Sequence, residues 1–231
     1  MTPRHPSGQL LGIEMAFDIV DPTPEQAPAV STVHLQAMTN NALTQAQFPG
    51  EAAAKYFHRW LARNTLQHVR DANKGTLVAR VSETGEVAGF IKWLVHEAGS
   101  NEAAAKDLES FSKPSNTELM DSYGELTERA RREAMGAKPY YHVTFLCTDP
   151  KWAGCGIASA LLGHVLERAE ADGMSVILEA TMEAVRLYQK FGFKIVREFH
   201  LKLPCRGSSD LSEPYEERCM VWSPSSTCNG V

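Results

Sequence analysis

The sequence predicts an α/β (α+β) domain in which a central mixed, mostly antiparallel, twisted sheet of about six to seven strands is flanked by helices. Three observations predict it. Residues 140–162, YYHVTFLCTDPKWAGCGIASALL, pass from period-two alternation to helical spacing across a junction holding Gly154 and Gly156. Upstream, Thr76–Ser82 and Val87–His96 alternate like strands around the turn residues Glu83-Thr84-Gly85-Glu86, which is a hairpin signature. Downstream, the pattern continues as strand, short helix, strand and a final strand over Ser175–Trp222.

The elements follow in order. Residues 1–14 are polar, carry Pro3, Pro6 and Gly8, and read as a loose tail before a single domain over 15–223. Ala16–Val20 reads as a strand. A helix begins near Thr23, with Thr23 as N-cap and Pro24 at the first helical position, and carries Val30, Val33, Leu35 and Met38. Pro49-Gly50 opens a second helix over 51–73, with Tyr56, Trp60, Leu61 and Leu66 as core candidates. Gly89 within the second hairpin strand marks a bulge candidate. Residues 97–138 interrupt the pattern with helix-like stretches at 102–110 and 118–135 around a Ser-Lys-Pro-Ser-Asn break. This insertion reads either as a solvated helical decoration or as a lid over a site beside the next strand. After the central strand and helix come a strand over 175–181, a helix over 183–191 and a strand over 193–203. A polar loop over 204–214 then leads to a last strand over 217–222, paired antiparallel with 193–203, and a tail over 224–231.

Composition narrows the function classes. The 231 residues hold 43% hydrophobic and 22% charged residues, ordinary for a soluble globular domain. A net charge of -5 speaks against nucleic-acid binding by bulk electrostatics. The five cysteines (Cys147, Cys155, Cys205, Cys219, Cys228) are odd in number and have no zinc spacing, so free thiols and no metal are expected. The first residues lack the apolar core of a signal peptide, and no apolar run reaches membrane-spanning length, so no membrane partner is expected. The cytoplasm is the default location, with the nucleus also open.

The junction between strand and helix carries the chemistry. The first turn of a helix has N–H groups without partners, and the helix dipole adds positive potential there. Gly154 and Gly156 let a phosphate approach that backbone. Gly156 is followed by Ile157-Ala158 rather than Lys-Ser/Thr, so the stretch is no Walker loop, and the three-glycine dinucleotide fingerprint is also missing. Ala153-Gly154-Cys155-Gly156-Ile157-Ala158 resembles motif A, Gln/Arg-x-x-Gly-x-Gly/Ala, of the GNAT superfamily of acyl-CoA-dependent N-acetyltransferases. It departs from that motif at Ala153, where Gln or Arg is usual. Leu178-Glu179-Ala180-Thr181 and Leu187-Tyr188-Gln189-Lys190-Phe191-Gly192-Phe193 are similar to motif B at the family's order and distance. The Leu-Glu-Ala-Thr variant resembles GNATs common in fungi. Thr181 stands where many members have Asn.

The resemblance implies a GNAT fold with central strands that splay apart, acetyl-CoA as co-substrate, and direct attack of an amine on the thioester. It implies cofactor contacts from Leu146, Cys147 and Thr148, which pair with the pantetheine arm, and from the cradle Ala153, Gly154, Cys155, Gly156, Ile157, Ala158 and Ser159, with Thr181 and Tyr188 beyond. Tyr188 is the candidate acid, because a phenol near its ordinary pKa of about 10 keeps its proton at neutral pH. His142 is the first candidate base, as an imidazole titrates near about 6.5. Glu179, from the adjacent strand, is the second. Against these stand plainer roles: a packed tyrosine, a half-exposed strand histidine and a salt-bridged carboxylate. The expected function is acetyl transfer to a primary amine of a small molecule, by an enzyme that can form a homodimer. A protein or peptide acetyltransferase, or a non-catalytic acyl-CoA-binding protein, is the alternative.

Overall fold

The computed structural model describes residues 16–98, 115–204 and 210–225. The expected tail over 1–14, the helix-like stretch at 102–110, Cys205 and Cys228 lie outside the described residues. Seven strands form one sheet: β1 (Phe17–Val20), β2 (Lys74–Val81), β3 (Val87–His96), β4 (Tyr140–Thr148), β5 (Ser175–Thr181), β6 (Lys194–Pro204) and β7 (Leu211–Trp222). Their order across the sheet is β1-β2-β3-β4-β5-β7-β6. The β4–β5 pair is parallel and every other neighbouring pair is antiparallel. The last strand therefore inserts between β5 and β6.

Among the described residues six α-helices cover the sheet: α1 (Ala27–Ala37), α2 (Ala42–Gln47), α3 (Gly50–Arg70), α4 (Thr117–Met135), α5 (Ile157–Ala171) and α6 (Val185–Lys190). Alternation along the strands divides the core. Trp93, Tyr141, Val143, Val176 and Leu178 pack with Leu161, Leu162 and Val165 of α5 and with Tyr188 of α6. On the opposite face, Phe90 and Cys147 pack with Val30 and Val33 of α1. Beside them, Tyr140, Ile177, Phe199 and Cys219 pack with Ala130 and Met135 of α4. The helix expected over the insertion is thus α4, and it is part of the core rather than a solvated decoration.

An added helix and an early strand differ most from the sequence expectation. α2 is an additional helix, capped where the Asn41 side chain accepts the Thr44 amide at 2.8 Å. β7 begins at Leu211, six residues earlier than expected, and takes Pro214 into the ladder opposite Lys202. β5 ends at Thr181 opposite Glu217, so Pro214 lies where β7 has one free edge, the kind of strand in which proline is tolerated.

The feature that positions the site is a fork. β4 and β5 pair from Tyr140↔Ser175 to Val143↔Leu178 and then part. Beyond that point β4 stays with β3 as far as Thr148↔Gly89, and β5 stays with β7 as far as Thr181↔Glu217. A bulge opens the fork: Lys92 faces Phe145 while Trp93 faces Val143, which leaves Thr144 as the extra residue. The Thr144 hydroxyl donates to the Lys92 carbonyl at 3.3 Å.

Candidate active site

At the open end of β4, Asp149 and a single turn of tighter helix (Pro150–Trp152) lead into α5. The Asp149 side chain accepts the Lys151 amide at 3.0 Å and sets that turn. Gly154 and Gly156 follow with φ of +80° and +82°, left-handed values that strain any residue bearing a Cβ. Nothing lies within 4 Å of where a Cβ would stand on either glycine, so the space in front of the backbone is open. Ala160 is the first amide of α5 bonded back, to the Gly156 carbonyl at 3.0 Å. The amides of Ile157, Ala158 and Ser159 are then the first-turn donors of a fifteen-residue helix.

The turn is buttressed from behind. Ile157 is buried and packs over Gly89 of β3, where a Cβ would come within 2.6 Å of its side chain. The hairpin register shifts between Ala79 and Arg80, opposite this point. Trp152 packs edge-on against Phe17 at 5.9 Å. Lys151 pairs with Glu86 and lies over the Trp152 ring at 5.4 Å. Ala153 and Cys155 are exposed at the rim, with the Cys155 sulfur 4.0 Å from the Ala153 carbonyl.

From the cradle, β4 runs back into the fork with one edge unpaired. Leu146, Cys147 and Thr148 lie there, opposite Ile91, Phe90 and Gly89 of β3, and alternate backbone groups of such a strand point to the vacant edge. The Thr148 hydroxyl is sealed from solvent with no partner among the described residues. Burial pushes the Cys147 thiol up to about 12, so it stays protonated. Across the fork, Tyr188 of α6 is buried against Phe193, ring centres 5.5 Å apart. Burial, reinforced by the Cys147 sulfur as electrostatic neighbour, raises its hydroxyl well above the ordinary phenol range. Thr181 ends β5 on the far side, its carbonyl accepting the Ala184 amide at 2.9 Å.

At the crotch of the fork, two residues taken in the sequence as separate candidates are joined. His142 Nε2 lies 2.9 Å from Glu179 Oε2, and the other Glu179 oxygen accepts from Arg131 Nη1 of α4 at 2.8 Å. All three side chains are nearly nine-tenths buried. Burial alone pushes the Glu179 carboxyl up, but His142 and then Arg131 outweigh it and hold the group down at about 2. One step outward along β7, Glu217 accepts from Tyr123 of α4 and from Tyr215, both at 2.6 Å. Tyr215 receives the Asn41 amide at 3.0 Å. Burial raises the Glu217 carboxyl above its ordinary value against the pull of the two phenols.

Sequence reasoning missed Arg131, Tyr123, Glu217, Tyr215 and Asn41. The alternation Tyr215-Glu217-Cys219 was a usable signal, since it puts a carboxylate on the face of a buried cysteine. Arg131 sits in a run of mixed charge where nothing local separates it from its neighbours.

A glycine cradle at a strand-to-helix corner, opening into parted strands, has the open space and the free donors that an acyl-CoA thioester requires. The residues present fit that group, because the glycines leave the cradle open and the strand end carries an orphaned hydroxyl. The sequence profile of the Acetyltransferase (GNAT) family matches residues 38–193. The chain belongs to that family, whose members are acyltransferases using acetyl-CoA. A mosquito arylalkylamine N-acetyltransferase-like protein superposes with a TM-score of 0.65 at 15% identity, covering 90% of this chain and 100% of its own. The Escherichia coli ribosomal-protein-S18-alanine N-acetyltransferase gives 0.56 at 14% identity over 94% of this chain and 99% of its own. At such identity both speak for the fold. A Mus musculus cysteine-rich protein 2-binding protein is 34% identical over 53 residues, which span 23% of this chain and 7% of that protein. Among the described residues no helix is long and apolar enough to cross a membrane.

Proposed function

We propose that this chain is an acetyl-CoA-dependent N-acetyltransferase that acylates a primary amine of a small molecule directly. The observation that carries the reading is the fork, which leads from the glycine cradle to Tyr188 on one side and the His142–Glu179 pair on the other. When bound, acetyl-CoA supplies the activated acyl group and the thiolate leaving group. Leu146, Cys147 and Thr148 offer a strand edge to its arm, and the amides of Gly154 and residues 156–159 offer donors to its phosphates. Ala153 and Cys155 flank those donors, and Thr181 bounds the opposite edge.

His142 takes the proton that the acceptor ammonium must lose, directly or through water, and the Glu179 carboxylate stabilises the imidazolium that results. Glu179, held at about 2, is a poor proton acceptor at neutral pH and serves as the orienting partner. Tyr188 keeps its proton because burial disfavours the phenolate, so the hydroxyl is poised to donate to the departing sulfur.

The small-molecule acceptor is favoured by what lies across the α4 side of the fork. Tyr123–Glu217 ties α4 to β7, Asn41–Tyr215 ties α2 to β7, and the Asn116 amide bonds the Gln47 carbonyl at 2.8 Å. We take these ties to favour a small amine over a peptide chain as the acceptor. The test is release of CoA from acetyl-CoA with panels of small amines and of peptides, for the natural protein and Tyr188→Phe. Turnover of amines is expected, with kcat lowered about 100-fold in the variant. Turnover confined to peptides overturns the acceptor assignment. Tight CoA binding with no acceptor turned over would make the chain a binding module instead.

A further inference from the structure

We infer that Arg131, carried by the inserted helix α4, is a positioning residue of this site: acting through the Glu179 carboxylate, it fixes which nitrogen of His142 is the basic one. The inference rests on the reading that His142 takes the acceptor's proton. It begins from three groups on three elements, Arg131 of α4, Glu179 of β5 and His142 of β4, linked in a line at 2.8 Å and 2.9 Å. Glu179 is the first residue of β5 beyond the last β4–β5 pair, Val143↔Leu178. The line therefore spans the crotch of the fork, where the two strands no longer hold each other.

The chemistry follows from the division of the carboxylate. One oxygen goes to the guanidinium and the other to the imidazole. A buried carboxylate facing only a histidine can take up a proton, and the contact can then invert, with the acid donating to Nε2. The guanidinium closes that route, because its charge is permanent and it keeps Glu179 ionised. An ionised carboxylate has no proton to give, so the Glu179 contact places the hydrogen on Nε2. Nδ1 is then the nitrogen with the lone pair. It has no hydrogen-bond partner among the described residues and is not among the sealed side-chain atoms, so water reaches it.

The groups facing this line are Tyr123 from α4, Glu217 and Cys219 from β7, and His96 from β3, whose ring centre lies 6.1 Å from that of His142. Glu217 spends both oxygens on Tyr123 and Tyr215 and leaves Glu179 to Arg131. The insertion thus reaches the reaction through one side chain.

The test joins kinetics with spectroscopy on the full chain. The pH profile of kcat/KM is measured with the amine turned over fastest, for the natural protein and for His142→Gln, Arg131→Met and Arg131→Lys. His142→Gln is expected to abolish the acid limb. Arg131→Met is expected to move that limb to higher pH by about one unit, since a positive charge opposing imidazole protonation is gone. On the acid limb itself that is about a 10-fold fall in kcat/KM, while the KM for acetyl-CoA stays put. Arg131→Lys should restore the limb. An unmoved limb in Arg131→Met overturns the inference while leaving His142 as base; a limb that survives in His142→Gln overturns the base itself. Nitrogen-15 NMR of the natural protein at neutral pH reads the tautomer without any variant. The hydrogen is expected on Nε2, and a hydrogen on Nδ1 refutes the positioning role.

Discussion

Replacing Lys92 by methionine should stabilise this protein near neutral pH, and the gain should fade as the pH rises. Lys92 is 1% exposed in the middle of β3. Its ammonium donates to two neutral oxygens, Asn64 Oδ1 at 2.9 Å and Thr65 Oγ1 at 2.8 Å, and lies over the Phe90 and Phe145 rings at 5.6 and 6.0 Å. Burial with so little compensation pulls its pKa from 10.5 down to about 7. The unfolded chain, titrating at the ordinary value, binds more protons between those two values. The penalty on the folded state is therefore full below pH 7 and relieved progressively toward pH 10. At pH 7 it is worth on the order of 4 kcal/mol. Methionine removes the charge and keeps most of the volume. The loss is two hydrogen bonds, softened because Thr65 still donates to the Leu61 carbonyl at 2.8 Å. Allowing about 2 kcal/mol for that loss leaves a net gain of about 2 kcal/mol at pH 7 and about zero at pH 9. Urea unfolding midpoints of the two proteins at pH 7 and 9 read this difference, in which the raised thiols of Cys147 and Cys219 cancel. A variant less stable than the natural protein at pH 7, or a gap independent of pH, would refute the reasoning.

Two further outcomes concern the cradle. Gly156→Ala meets no neighbour within 4 Å but must hold φ near +82°, at a cost of about 1–2 kcal/mol, so it should fold. Its dissociation constant for CoA, read by calorimetry, should rise about 10-fold, and an unchanged value would show that the phosphates bind elsewhere. Gly89→Ala drives a methyl to 2.6 Å from Ile157 and 2.9 Å from the Cys147 carbonyl, one of them backbone. A loss of about 1–3 kcal/mol in thermal or urea unfolding is expected, together with weaker CoA binding, and full stability would mean that α5 does not rest on that glycine.

What the sequence made legible was what is local. The alternation through 140–148, the two glycines and the α5 stripe lie within one stretch, and each has a period or a required φ that only a few residues satisfy. The hairpin β2–β3 was legible for the same reason. The place of β7 between β5 and β6 was not, because strand order is a property of pairings across forty residues, and Pro214 disguised the first half of the strand. The early helix α2 is six residues long, too short for a period to show. In the site, His142 and Glu179 were found one by one from motif and strand position. Their joining required the parallel register His142↔Ile177, which places Glu179 one strand over and two residues on. Arg131, Tyr123 and Glu217 lie 48, 94 and 94 residues from the partners that give them meaning, and no local pattern carries such distances.

The inserted helix is where energetics and function meet. An Arg–Glu–His line nearly nine-tenths buried is a poor device for stability, since desolvating three such groups cancels most of their attraction, and apolar side chains of similar volume would serve at least as well. The same α4 surface shows that apolar packing was available, because Ala130 and Met135 on either side of Arg131 are buried against Tyr140, Ile177 and Cys219. A helix able to dock by apolar contact alone nevertheless brings one guanidinium and one phenol to the two carboxylates beside the fork. Stability does not ask for that arrangement. The role we propose for His142, presenting one defined nitrogen at the point where two strands part, does.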